Sequence, residues 1–102
     1  MNIISESEMT DRQIELLGAL MREADLCCIR MGYPPAKNGS WKETELEISW
    51  QRIDNSGGQH LAQVLLPMSV VENNDLTIPD IVLRLRELAS KAQIDLTPKK
   101  AT

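Results

Sequence analysis

At 102 residues, with 42% hydrophobic and 25% charged residues, the chain has the composition of one ordinary globular domain, which excludes a low-complexity or disordered protein. A net charge of −4 with no basic stripe argues against tight binding to a nucleic-acid backbone, which needs clustered Lys and Arg. No apolar run approaches the roughly 20 residues that span a bilayer, and "MNIISESEMT" has neither the basic start nor the apolar run of a signal peptide, so a cytoplasmic location without a membrane partner is expected.

The aromatic residues are only Tyr33, Trp41 and Trp50, so the core must be built from Leu, Ile, Val, Met and Ala. Charge is uneven along the chain: residues 1–25 carry six acids against two bases, and residues 43–83 carry seven acids against Arg52 alone.

Residues 1–9 read as an N-terminal segment in which Ile3 and Ile4 are a candidate edge strand. Thr10, followed three residues later by Gln13, is a capping box that starts a helix. Ile14, Leu17, Met21, Ala24, Cys28 and Met31 recur at spacings of three and four, and Leu16, Leu20 and Cys27 widen that stripe. With Gly32 as a stop signal before Tyr33-Pro34-Pro35, that spacing predicts a helix over 10–31. Gly18 inside it costs about 1 kcal/mol against Ala, which suggests a close crossing of another element. The adjacent Cys27 and Cys28 have no CxxC or Cys/His partners and read as small residues on that helix.

"YPPAKNGS" is a loop with a turn at Asn38-Gly39. From Trp41 to Asp54 the residues alternate, with Leu46, Ile48 and Trp50 on one side and Glu43, Glu45, Glu47, Ser49 and Gln51 on the other, the pattern of a strand with one wet face. "NSGG" at 55–58 supplies a reversal, and "HLAQVLLPM" is a second strand. Ala62, Val64, Leu66 and Met68 share its inner face, while Leu61 and Leu65 leave the other face apolar too. Pro67 should end the pairing. Thr77, Pro79 and Asp80 open a last helix expected over 78–93, with Ile78, Ile81, Leu85, Leu88, Ala89 and Ala92 as its apolar stripe and Val82 and Leu83 broadening its start.

The fold class expected is therefore α+β: an α-β-β-α order, a small antiparallel sheet made of a hairpin plus a third strand, and two amphipathic helices on one face. A hairpin alone is marginal. The third strand could come from residues 2–5, from 69–72 or from a second copy of the chain. Residues 10–95 form the single domain, and 96–102 a flexible tail.

No catalytic motif is present. His60 with Asp54 and Ser56 across the turn is the one trio that could do acid–base chemistry, but a glycine turn positions side chains poorly. Gly57-Gly58 leads into a strand, whereas a phosphate loop leads into a helix. No metal ligand set and no cofactor motif is found. Glu43, Glu45 and Glu47 form an acidic row that is either a solvated face or a docking surface for a basic partner. Leu61 and Leu65 are the candidate dimer surface. Tyr33, Trp41 and His60 mark a candidate pocket between the first helix and the hairpin. The reading is a small acidic protein-binding module without enzymatic activity, acting as inhibitor, adaptor or accessory factor and expected to be homodimeric. The alternatives are an acidic chaperone-like dimer that holds a peptide segment, and a small-ligand-binding protein or enzyme using the Tyr33/Trp41/His60 pocket.

Overall fold

The computed structural model describes residues 2–23, 27–53 and 59–94. Its centre is the alternating pair of strands. β3 (Glu45–Ile53) and β4 (Gln59–Pro67) pair antiparallel, with Leu46 opposite Leu66, Ile48 opposite Val64 and Trp50 opposite Ala62. Side chains two apart share a face, and Leu46, Ile48, Trp50, Val64 and Leu66 are all buried there. Pro67 lacks an N–H and ends the ladder as expected. The chain then turns directly into the short helix α2 (Met68–Val71), so residues 69–72 do not supply a strand. β3 begins at Glu45, later than the alternation suggested, and Glu43 lies in the turn before it. The turn at 55–58 and the tail at 96–102 lie outside the described residues.

Helix α1 (Asp11–Glu23) opens with the capping box read from the sequence. Gln13 N–H donates to Thr10 Oγ1 at 3.2 Å, and Thr10 N–H donates to Gln13 Oε1 at 3.0 Å. The helix does not continue to residue 31. Instead Cys27–Tyr33 form β2, which pairs antiparallel with β3 through Met31 opposite Ile48 and Gly32 opposite Glu47. The physical reason is twofold. A hairpin by itself is a marginal sheet, and "CCIRMGY" also carries a period-2 signal. Met31 is buried and Ile29 and Tyr33 are half-buried, while Cys28 and Arg30 are exposed. Cys28 and Met31 fit both periods, so the helical stripe absorbed them. Gly32, expected to cap a helix, is a buried strand residue, and Cys27 and Cys28 stand on a strand.

The edge of the sheet beyond β2 is β1 (Asn2–Ile3), which pairs through Ile3 opposite Gly32. The strand order is β1-β2-β3-β4, antiparallel throughout. The fold is thus α+β with one antiparallel sheet, but its element order is β-α-β-β-β-α-α and not α-β-β-α. A single turn of 3₁₀ helix at Glu6–Glu8 links β1 to α1.

Helix α3 (Ile78–Lys91) starts with the reciprocal cap between Thr77 and Asp80 and buries Ile81, Val82, Leu85 and Ala89. It ends in a Schellman motif. Gln93 takes the left-handed φ of 60° normally given to Gly, and Ile94 N–H donates to Ala89 O at 2.8 Å. α1 packs on β2, α3 packs on β4, and the two helices pack on each other. Their shared core joins Leu16, Ala19 and Leu20 to the inner face of the sheet.

The apolar stripe expected for α1 is buried only in part. Leu16 and Leu20 are buried as expected, together with Gln13 and Ala19, whereas Ile14 and Met21 are 47% and 52% exposed. Arg12, one turn before Leu16, is held through its guanidinium by the carbonyls of Val71 at the end of α2 and of Asn73 and Leu76 beyond it, which ties the first turn of α1 to that segment. Gly18 marks no crossing either. A Cβ there would meet only the Arg22 guanidinium of the same helix, at 3.1 Å.

Candidate binding surface

Both long helices cover one face of the sheet, so the opposite face is left open. Its composition follows from the register. Glu47 on β3 lies between Gly32 of β2 and Leu65 of β4, and Ile3 of β1 stands beyond Gly32. The next row along is Arg30, Ser49 and Gln63. Gly32 brings no side chain, so Glu47 has a side-chain neighbour in this row only on its β4 flank. Leu65 remains 44% exposed and Ile3 52% exposed on this face.

The acidic row is shorter than the sequence suggested. Glu45 and Glu47 share the strand face and are half-buried, while Glu43 is exposed in the preceding turn. Glu45 is paired with Lys42, three residues back. The Lys42 end of the pair is exposed to solvent, and surface pairs of this kind contribute little to stability.

Leu61 and Leu65 are placed four positions apart on β4, opposite Gln51 and Glu47. The side chain of Leu61 lies outside the described residues. The three residues of the candidate pocket are not brought together. His60 pairs with Arg52 near the hairpin turn, and its side chain lies outside the described residues. Tyr33 sits at the other end of the sheet, opposite Asn2. The register separates it from His60 by about six residues of strand, roughly 20 Å. Trp41 is exposed and forms an isolated bridge with Pro35, closing the loop around Gly39. Asp54 and Ser56, the proposed companions of His60, lie outside the described residues.

One feature was not read from the sequence. A shallow groove of about 500 Å³ runs between α2 and α3, floored by Val70, Leu76 and Leu83 and rimmed by Asp80, Arg84 and Glu87. Leu83, expected to broaden the apolar stripe of α3, is instead 56% exposed on the polar side of the helix and marks this groove. The rim is largely self-satisfied. Arg84 is paired with Glu87 at 3.2 Å, and Asp80 is engaged at the helix N-terminus. The Thr77 backbone N–H, then its hydroxyl contact, hold the Asp80 carboxyl below its ordinary range. Among the described residues no group of three or more His, Cys, Asp or Glu is placed to hold a metal ion. Likewise no helix among them is long and apolar enough to cross a membrane.

No family model matches the chain, and neither a curated protein nor a solved structure matches it.

Proposed function

We propose that this chain is a non-enzymatic, cytoplasmic protein-binding module that acts as a homodimeric inhibitor, adaptor or accessory factor. The observation that carries the reading is the one-sided sheet. A two-layer domain whose strands are covered on one face presents the other as a rigid platform. Here that platform combines half-buried Glu45 and Glu47 with exposed Leu65. Strands hold side chains at fixed spacing, about 7 Å between alternate residues, so the acids are pre-ordered before a partner arrives. The partner such a surface fits is a protein with a basic patch around an apolar contact.

The test is the triple substitution Glu43→Gln, Glu45→Gln and Glu47→Gln. Affinity capture from the source cell with the wild-type chain should retain one protein partner. The triple variant should lose it, mainly through a slower association rate, and added salt should imitate the loss. Full retention by a folded triple variant would reduce the acids to a solvated face. The groove floored by Val70, Leu76 and Leu83 favours a second reading, in which a dimer holds an apolar peptide segment. In that case Leu83→Lys should abolish capture and the triple Gln variant should not.

A further inference from the structure

The two edges of the sheet are built differently. On the β1 side, pairing is discouraged in three ways. β1 is only two residues long, β2 is bulged between Cys27 and Arg30 with Cys28 at a left-handed φ of 53°, and Arg30 adds a charge. Short strands, bulges and charges are the usual devices that stop a sheet edge from recruiting another strand. On the β4 side they are missing. β4 is nine residues long, "QHLAQVLLP", with no Lys, Arg, Asp or Glu and only a terminal proline. No strand lies beyond it among the described residues.

We infer that β4 pairs with β4 of a second copy of this chain, antiparallel and on a two-fold axis at Gln63, giving one continuous eight-stranded sheet. This deepens the homodimer reading above and rests on it. The middle of the strand reads similarly in both directions about that axis: Leu61 and Leu65 lie two positions to either side of Gln63, with the small apolar Ala62 and Val64 between. A two-fold interface is self-complementary by construction. The register sets Leu65 against Leu61 of the other copy twice, and Gln63 against itself, where two amides can exchange hydrogen bonds. Alanine 62 meets Val64 on the inner face. Charge favours this arrangement over stacking of the open faces. Stacking would press Glu45 and Glu47 against their own copies. Edge pairing instead keeps the two β3 rows three strand spacings apart, roughly 14 Å, beyond the screening length of about 8 Å at physiological salt. The remaining outer edges are then the two blunted ones, so the assembly stops at two copies.

Sedimentation equilibrium of the full chain tests this. The wild type should be a dimer at micromolar concentration. Gln63 is exposed, so Gln63→Lys should leave the fold intact while placing like charges face to face. It should weaken the dimer about tenfold or more at low salt and much less in ~1 M salt. Leu65→Lys alone should also dissociate it. Adding Leu61→Glu to Leu65→Lys should restore most of the dimer, because each Lys then faces a Glu across the axis. The two sites are about 13 Å apart within one strand, too far for that rescue to occur inside one chain. A wild-type dimer insensitive to Gln63→Lys and Leu65→Lys overturns the β4 interface and leaves the homodimer reading standing. A wild-type monomer at all concentrations overturns both. If the double variant fails to fold by circular dichroism, the salt-reversible effect of Gln63→Lys decides the matter.

Discussion

Arg12 Nε donates to the carbonyl of Val71 at 2.7 Å, across 59 positions of the chain. Its Nη2 donates to the carbonyls of Asn73 and Leu76 at 2.9 and 2.8 Å. One guanidinium thus satisfies the end of α2 and the approach to α3, and it ties both to the first turn of α1. Arg12→Ala should cost about 2–3 kcal/mol, the scale of charge-assisted hydrogen bonds left without a partner. Arg12→Lys should recover less than half, because the three donors of an ammonium radiate from one nitrogen and cannot reproduce the separate Nε and Nη2 positions of the guanidinium. Urea unfolding measures both. A loss below about 0.5 kcal/mol for the Ala variant would show that the loop is held by other means.

The two tryptophans should behave differently. Trp50 is 1% exposed in the centre of the sheet, and Trp41 is 45% exposed in the loop. Trp50→Ala should cost about 3–5 kcal/mol and Trp41→Ala about 1 or less. Fluorescence should show one indole that is quenched freely by iodide and one that is protected. Equal costs would refute the register of β3.

Asp80 predicts a pH signature. Its carboxyl is held below the ordinary value of 3.8, first by the Thr77 backbone N–H and then by the Thr77 hydroxyl. A carboxylate with a lowered folded pKa contributes stability above its unfolded value and loses it as pH falls through the folded value. The melting temperature of the wild type should therefore exceed that of Asp80→Asn by a constant margin from about pH 5 to 7. That margin should close as the pH drops below 3.8. A margin unchanged at the lowest pH that keeps the protein folded would show that charge is irrelevant to this cap.

Two glycines should respond with opposite sign. Gly18 lies within α1, and a Cβ there meets only the mobile end of Arg22, so Gly18→Ala should stabilise by about 0.5–1 kcal/mol. Gly39 has φ of +83° with open space around it. Gly39→Ala should therefore destabilise by about 1 kcal/mol through the backbone alone. Thermal melts of the two variants check both signs.

Much of this molecule is legible from local signals. Thr10 with Gln13 and Thr77 with Asp80 are short-range devices, and both helices start where these residues place them. The alternation of Leu46, Ile48 and Trp50 sets one strand face, and Pro67 ends the next strand for a reason carried by its own ring. The C-terminus of α3 was less legible because Gln93 occupies the position where glycine would have announced the stop.

What the sequence determined by itself, then, is where chains of local hydrogen bonds begin and which β3 residues turn inward, because those depend on neighbours a few residues away. Only the tertiary structure decided that Cys27–Tyr33 is a strand, since Met31 fits a helical and a strand period equally well and the pairing with Ile48 breaks the tie. The tertiary structure also decided that Ile14 and Met21 stay exposed while Leu16 and Leu20 are buried, and it brought Arg12 to carbonyls some sixty residues away in sequence. Likewise the open face of the sheet and the long uncharged edge of β4 appear only once the order of the strands is known. Edges and faces are properties of the sheet as a whole, and no single strand contains them.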